Sequence, residues 1–109
     1  MRLARSGNRR PSVVYFVTFG DRRSIKIGKA DDIGKRIKGL QTGNPEPLEV
    51  LVLVPGGHKE EAELHYRFRH LRIRKDGEWF KRDCELLHYI RSLGATGIEC
   101  DCPRQQGLW

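Results

Sequence analysis

Residues 13–43, VVYFVTFGDRRSIKIGKADDIGKRIKGLQTG, decide how this 109-residue chain is read. Residues 12–19 (SVVYFVTF) are β-branched and aromatic, the composition of a strand. Both alternating sets are largely apolar: Val13, Tyr15, Val17 and Phe19 on one side, Val14 and Phe16 on the other. Such a strand is covered on both faces. Gly20-Asp21 begins a turn and residues 24–28 (SIKIG) return, so the pair reads as a hairpin. Asp31 or Asp32 caps a helix in which Ile33, Ile37 and Leu40 recur at helical spacing. Gly34 and Gly39 weaken that helix, which must therefore lean on tertiary packing. Thr42-Gly43-Asn44-Pro45 ends it.

Outward from this core, residues 48–54 (LEVLVLV) read as a strand stopped by Pro55-Gly56-Gly57. Residues 58–70 read as a helix with Leu64 and Phe68 one turn apart. A turn at Asp76-Gly77 precedes the aromatic pair Trp79-Phe80, which could stack on bases or close the core; core packing is the expectation. Asp83 caps a last helix with Leu86, Leu87, Ile90 and Leu93 on one face. The order strand, strand, helix, strand, helix, helix predicts an α/β fold of the α+β kind: a small three-stranded, mainly antiparallel sheet flanked by helices. Residues 1–11 read as a flexible basic arm, 12–93 as the domain and 94–109 as a C-terminal tail.

Composition bounds the function. A chain of this size buries about 60–70% of its unfolded surface, enough for a core without staples. The longest apolar run, residues 50–54, is far short of the roughly 20 residues of a membrane helix, and the N-terminus lacks the apolar stretch of a secretory signal. Three cysteines are too few for a disulfide scaffold, so an intracellular, cytoplasmic setting is expected. The net charge of +7 is unevenly spread. Residues 1–40 are net +8, residues 41–65 net −4 and residues 66–83 net +4. The basic blocks suit a polyanion through counterion release, or equally a solvated surface.

Three constellations could carry chemistry. Lys26 lies between Ile25 and Ile27, so it points to the opposite face, where Tyr15 could meet it across the hairpin. With Lys29 and Arg36 this could gather a phenol and three cations around a phosphate. The plain alternative is a core tyrosine with solvated cations. His58, Glu61, His65 and Phe68 share one helical stripe, and a carboxylate beside imidazoles could hold Mg²⁺ or Mn²⁺; a solvated Glu61–His65 pair is the alternative. Cys84, His88, Cys100 and Cys102 supply four zinc-type ligands, against Cys84 as a small buried hydrophobe. P-loop, GxSxG and GxGxxG motifs are absent.

The stretch quoted first resembles the opening of GIY-YIG nuclease domains. Val13-Val14-Tyr15 looks like the GIY element, and Lys26-Ile27-Gly28 stands where YIG belongs. Lys29-Ala30-Asp31-Asp32 followed by Arg36 is similar to the K-x-x-D-x-x-x-R stretch of that family, and Glu61-Ala62-Glu63-Leu64-His65 resembles its metal-binding helix. A phage-associated DNA-binding branch is closer still. Its V-Y-F, K-I-G, L-Q-T-G-N-P-x-P-L, E-x-x-L-H-x-x-F and G-E-W-F elements occur here in order, as residues 14–16, 26–28, 40–48, 61–68 and 77–80. The resemblance, spanning residues 13–93, implies a metal-dependent endonuclease acting on DNA. In it Glu61 binds Mg²⁺ or Mn²⁺, Arg36 stabilises charge developing on phosphorus, and Tyr15 handles the attacking water. Lys26, Lys29 and His65 support them. Arg9, Arg10, Lys35, Lys38, Arg67, Arg72 and Arg74 are the expected DNA contacts. Two departures bear on catalysis: Lys26 replaces the second family tyrosine, and residues 77–80 occupy the region of an expected asparagine. A DNA-binding module without cleavage is therefore the first alternative, and a zinc-stabilised protein-interaction adaptor the second.

Overall fold

A computed structural model describes residues 12–20, 23–74 and 77–95; Arg9, Arg10, Cys100 and Cys102 lie outside them. Four strands, β1 (Val13–Phe19), β2 (Ser24–Ala30), β3 (Leu48–Pro55) and β4 (Trp79–Lys81), form one sheet in the order β3-β1-β2-β4. Every pairing is antiparallel. The helices are α1 (Ile33–Gln41), α2 (His58–Arg67) and α3 (Cys84–Ser92), with a 3-10 turn at Arg69–Leu71. The α+β class is the one the sequence predicts, but the sheet has a fourth strand. Its three residues are too short to display alternation, and they are extended only because Ser24, Ile25 and Lys26 pair with Lys81, Phe80 and Trp79.

β1 is central because both of its faces are apolar. Val14 and Phe16 join Ile25, Ile27, Leu64, Phe68, Leu71, Phe80, Leu86, Leu87 and Ile90 in the larger core, under α2 and α3. Tyr15, Val17 and Ala30 form a smaller one under α1, packed by Ile33, Ile37, Leu40 and Leu48. No residue of α1 is itself buried, as expected of a glycine-containing helix held by one apolar stripe.

Local chemistry fixes the ends. Asp32, not Asp31, caps α1 by accepting the Lys35 N–H at 3.2 Å, and Asp83 caps α3 by accepting from Glu85 at 3.0 Å. Gln41 stitches the following loop to β3: its amide donates to the Glu46 carbonyl at 2.9 Å and accepts from the Leu48 N–H at 2.7 Å. β3 carries one extra residue, since Phe16 faces Val52 while Val17 faces Val50, which leaves Leu51 as a bulge. Among the described residues no helix is long and apolar enough to cross a membrane.

Candidate active site

The sheet stops early on one side. β4 accompanies β2 only to Lys26, and the Ile27 N–H then donates to the Glu78 carbonyl at 3.0 Å. Beyond that point α2 stands beside β2: His65 Nε2 donates to the Ile27 carbonyl at 2.9 Å. A carbonyl can only accept, so Nε2 carries the proton. His65 thus satisfies a backbone oxygen through Nε2 and leans on the Phe80 ring at 5.2 Å, which leaves Nδ1 as its acceptor.

On the opposite face, Tyr15 sits directly across from Gly28 and is fully buried. The missing side chain of Gly28 makes room for the phenol: a Cβ there would lie 2.4 Å from Tyr15 Oη. Tyr15 Oη accepts from Arg36 Nε at 3.1 Å. This bond, and the attraction of the Tyr15 oxygen, hold the Arg36 pKa above its ordinary value against a desolvation cost, with smaller help from Glu78 and Glu61. Arg36 is itself exposed, so a fixed cation faces solvent.

Lys26 points to the Tyr15 face, as its place between two isoleucines predicts, and is nearly buried. Its ammonium is 2.6 Å from Glu78 Oε1 and 5.6 Å from the Trp79 ring centre. Glu78 belongs to the G-E-W-F element read from the sequence but was not among its expected site residues. A buried lysine requires a carboxylate partner, and recognition of β4 would have placed Glu78 at the end of its neighbouring strand. Lys29, opposite Val14, alternates to the other face from Tyr15 and lies 3.4 Å from Asp31 Oδ1. It still shares a shallow hollow of about 390 Å³ with Lys35, Arg36 and Asp31, between the end of β2 and the start of α1.

Glu61 is one helical turn before His65, on the stripe turned toward β2. Its carboxylate is 15% exposed, 3.8 Å from His58 Nδ1, and within electrostatic reach of Arg36. The fold therefore makes one contact pair of Tyr15 and Arg36 and another of Lys26 and Glu78, and sets Glu61 close enough to act on Arg36. Among the described residues no three His, Cys, Asp or Glu side chains are grouped to hold a metal. A single carboxylate fits only a hard cation that keeps most of its own waters.

The remaining expectations separate. Lys35 and Lys38 are exposed on α1, over the smaller core. Arg67 lies 4.4 Å from the Tyr89 ring and Arg72 5.6 Å from the Phe80 ring, on rings that pack the larger core. Arg74 is exposed near the latter. These cations do not share one face of the sheet. Phe80 is fully buried, as core packing requires, while half-buried Trp79 stacks on Phe19 at 5.7 Å. Cys84 is disulfide-bonded and half-buried at the start of α3. His88 is exposed on α3.

No curated protein and no solved structure matches the chain. The T5orf172 domain, a phage-associated domain related to nuclease-type domains, matches residues 12–93. With three quarters of its length matched, the chain belongs to the T5orf172 domain family.

Proposed function

We propose that the chain is a GIY-YIG-type endonuclease that hydrolyses DNA phosphodiester bonds with Mg²⁺ or Mn²⁺, inside a cell. The observation that carries this reading is the Arg36–Tyr15 hydrogen bond at 3.1 Å, with the Glu61 and Glu78 carboxylates near the same guanidinium. Hydrolysis builds negative charge on the phosphoryl oxygens, and a cation already fixed in place costs no reorganisation to stabilise it. Tyr15 supplies the fixing: its ring is buried and its hydroxyl faces Arg36 Nε. Lys29 and Lys35 line the same hollow and would hold flanking phosphates. Glu61 would hold the divalent cation, which when bound adds charge neutralisation at the scissile phosphate.

The test is cleavage of plasmid and short duplex DNA with Mg²⁺ or Mn²⁺. Glu61→Gln should abolish the cut and leave DNA affinity equal or slightly higher, since a negative charge near phosphate is removed. Cleavage that persists unchanged in Glu61→Gln would show that the ligand is wrong. A second reading, DNA binding without cleavage, is favoured by one observation: the Tyr15 ring is fully buried, so a substrate water has no direct path to it. Under that reading wild type and Glu61→Gln are both inert yet both shift DNA on a gel.

A further inference from the structure

The buried phenol raises a specific question: which group takes the proton of the attacking water? Tyr15 is 0% exposed and its oxygen already accepts from Arg36. His65 is tied through Nε2 to the Ile27 carbonyl and its ring packs on Phe80 of the larger core, on the other face of the sheet from Tyr15 and Lys26. Lys26 Nζ is committed to Glu78 at 2.6 Å and is a donor, not an acceptor, in that pair. Glu61 is the proposed cation ligand. Glu78 differs from all of these. Its side chain is 39% exposed, only Oε1 is engaged by Lys26, and a carboxylate has lone pairs to spare on both oxygens.

Two contacts hold Glu78 in place. Its own carbonyl accepts the Ile27 N–H at 3.0 Å, which pins its backbone to β2. Lys26 fixes one carboxylate oxygen, and Trp79, stacked on Phe19, packs beside that ammonium. The carboxylate is near enough to Arg36 to contribute to its raised pKa. An accessible, anchored proton acceptor therefore stands on Lys26, within electrostatic reach of the fixed cation.

We infer that Glu78 is the general base of this site and that Lys26 is its positioning partner. This rests on the endonuclease reading above and deepens it. In the step, the water oxygen bonds to phosphorus as the bond from phosphorus to the leaving ester oxygen breaks. One water proton passes to the free oxygen of Glu78, which later returns it to solvent. The leaving oxygen takes a proton from solvent, so no further reactant is needed. Lys26, in the position of the second family tyrosine, then serves the site by orienting a carboxylate.

The experiment compares wild type, Glu78→Gln and Glu78→Asp in single-turnover cleavage of a plasmid with Mg²⁺ between pH 5 and 9. DNA affinity without metal and thermal midpoint are measured alongside. Gln keeps an oxygen for Lys26 but cannot accept the proton, so its rate should fall roughly 10²–10⁴-fold. The rise of rate with pH on the acid side should vanish, with DNA affinity retained. Asp keeps the carboxylate but withdraws it by a methylene, so it should be slower by about tenfold or more while keeping the acid limb. Glu78→Gln cutting at the wild-type rate with the wild-type pH profile would overturn the assignment and leave the nuclease reading intact. Were Gln to unfold, Glu78→Asp at the wild-type rate would do the same. A wild type that binds DNA and never cuts it would overturn both.

Discussion

Gly28→Ala is the sharpest perturbation of the site, because it adds one methyl group at a known place. The added Cβ would lie 2.4 Å from Tyr15 Oη, 2.5 Å from Cζ and 2.9 Å from Cε1. Ordinary contact begins at 3.4 Å, so the ring must retreat by roughly 1 Å. Tyr15 has no free space in which to retreat, since it is fully buried against Ile33, Ile37 and Leu40. The φ angle of Gly28 is not among the positive ones, so the cost is steric rather than conformational. Overpacking of this kind costs about 1–3 kcal/mol. The same displacement stretches the Arg36–Tyr15 bond from 3.1 Å beyond hydrogen-bonding range, for about 0.5–1.5 kcal/mol more. Together that is about 1.5–4.5 kcal/mol, a large share of the roughly 5–15 kcal/mol that holds a small domain. The assay is urea denaturation in a double-mutant cycle with Tyr15→Leu, whose side chain ends short of the phenol position. In that background Gly28→Ala should cost little, giving a coupling of about 1–3 kcal/mol. Equal costs of Gly28→Ala in both backgrounds would refute the claim that Tyr15 is seated on this glycine.

Two further outcomes test other parts of the molecule. Glu60 Oε1 accepts the Gly57 N–H at 2.8 Å at the start of α2, which lowers the Glu60 pKa below its ordinary value. A depressed carboxylate contributes stability that is present above its unfolded pKa and is lost as pH falls through the folded one. Glu60→Gln should therefore lower the thermal midpoint at pH 7, and its difference from wild type should shrink once the pH drops below about 4; a difference independent of pH would sink this account. Lys35→Gln and Lys38→Gln should each lower the salt slope of duplex binding by about 1 if α1 meets phosphate, and unchanged slopes would move the DNA to the Arg67 side of the sheet.

What was legible in the sequence was what repeats. The two-sided apolar pattern of β1 announced a central strand, and Lys26 between two isoleucines announced its own face; both follow from a side-chain period of two. The same rule, applied one step further, places Lys29 opposite Lys26, although chain proximity groups the two. What was not legible depends on partners distant in sequence. β4 is extended because β2 lies beside it, and Glu78 matters because Lys26, 52 positions earlier, needs a counter-charge in a nearly dry place. His65 was legible as a polar residue on the right stripe, but not as the donor to a carbonyl left over by the end of a sheet.

The shortness of β4 is itself part of the argument about where chemistry can occur. Had it continued past Trp79, it would have paired with residues 28–30 of β2, and the approach from that side would be closed. Instead pairing ends at Lys26, and Ile27 is met on that side by the Glu78 carbonyl and the His65 side chain. An unpaired strand edge is normally a liability. Here the first leftover carbonyl is taken by His65, and the ground beyond it is charged by Lys29, Lys35 and Arg36. If the chain binds DNA as proposed, these cations meet a phosphate chain of opposite charge at this edge. The early end of β4 thus leaves the Glu78 side chain at an open edge, and if the proposed nuclease function holds, lengthening β4 by sequence redesign should cost activity before it costs stability.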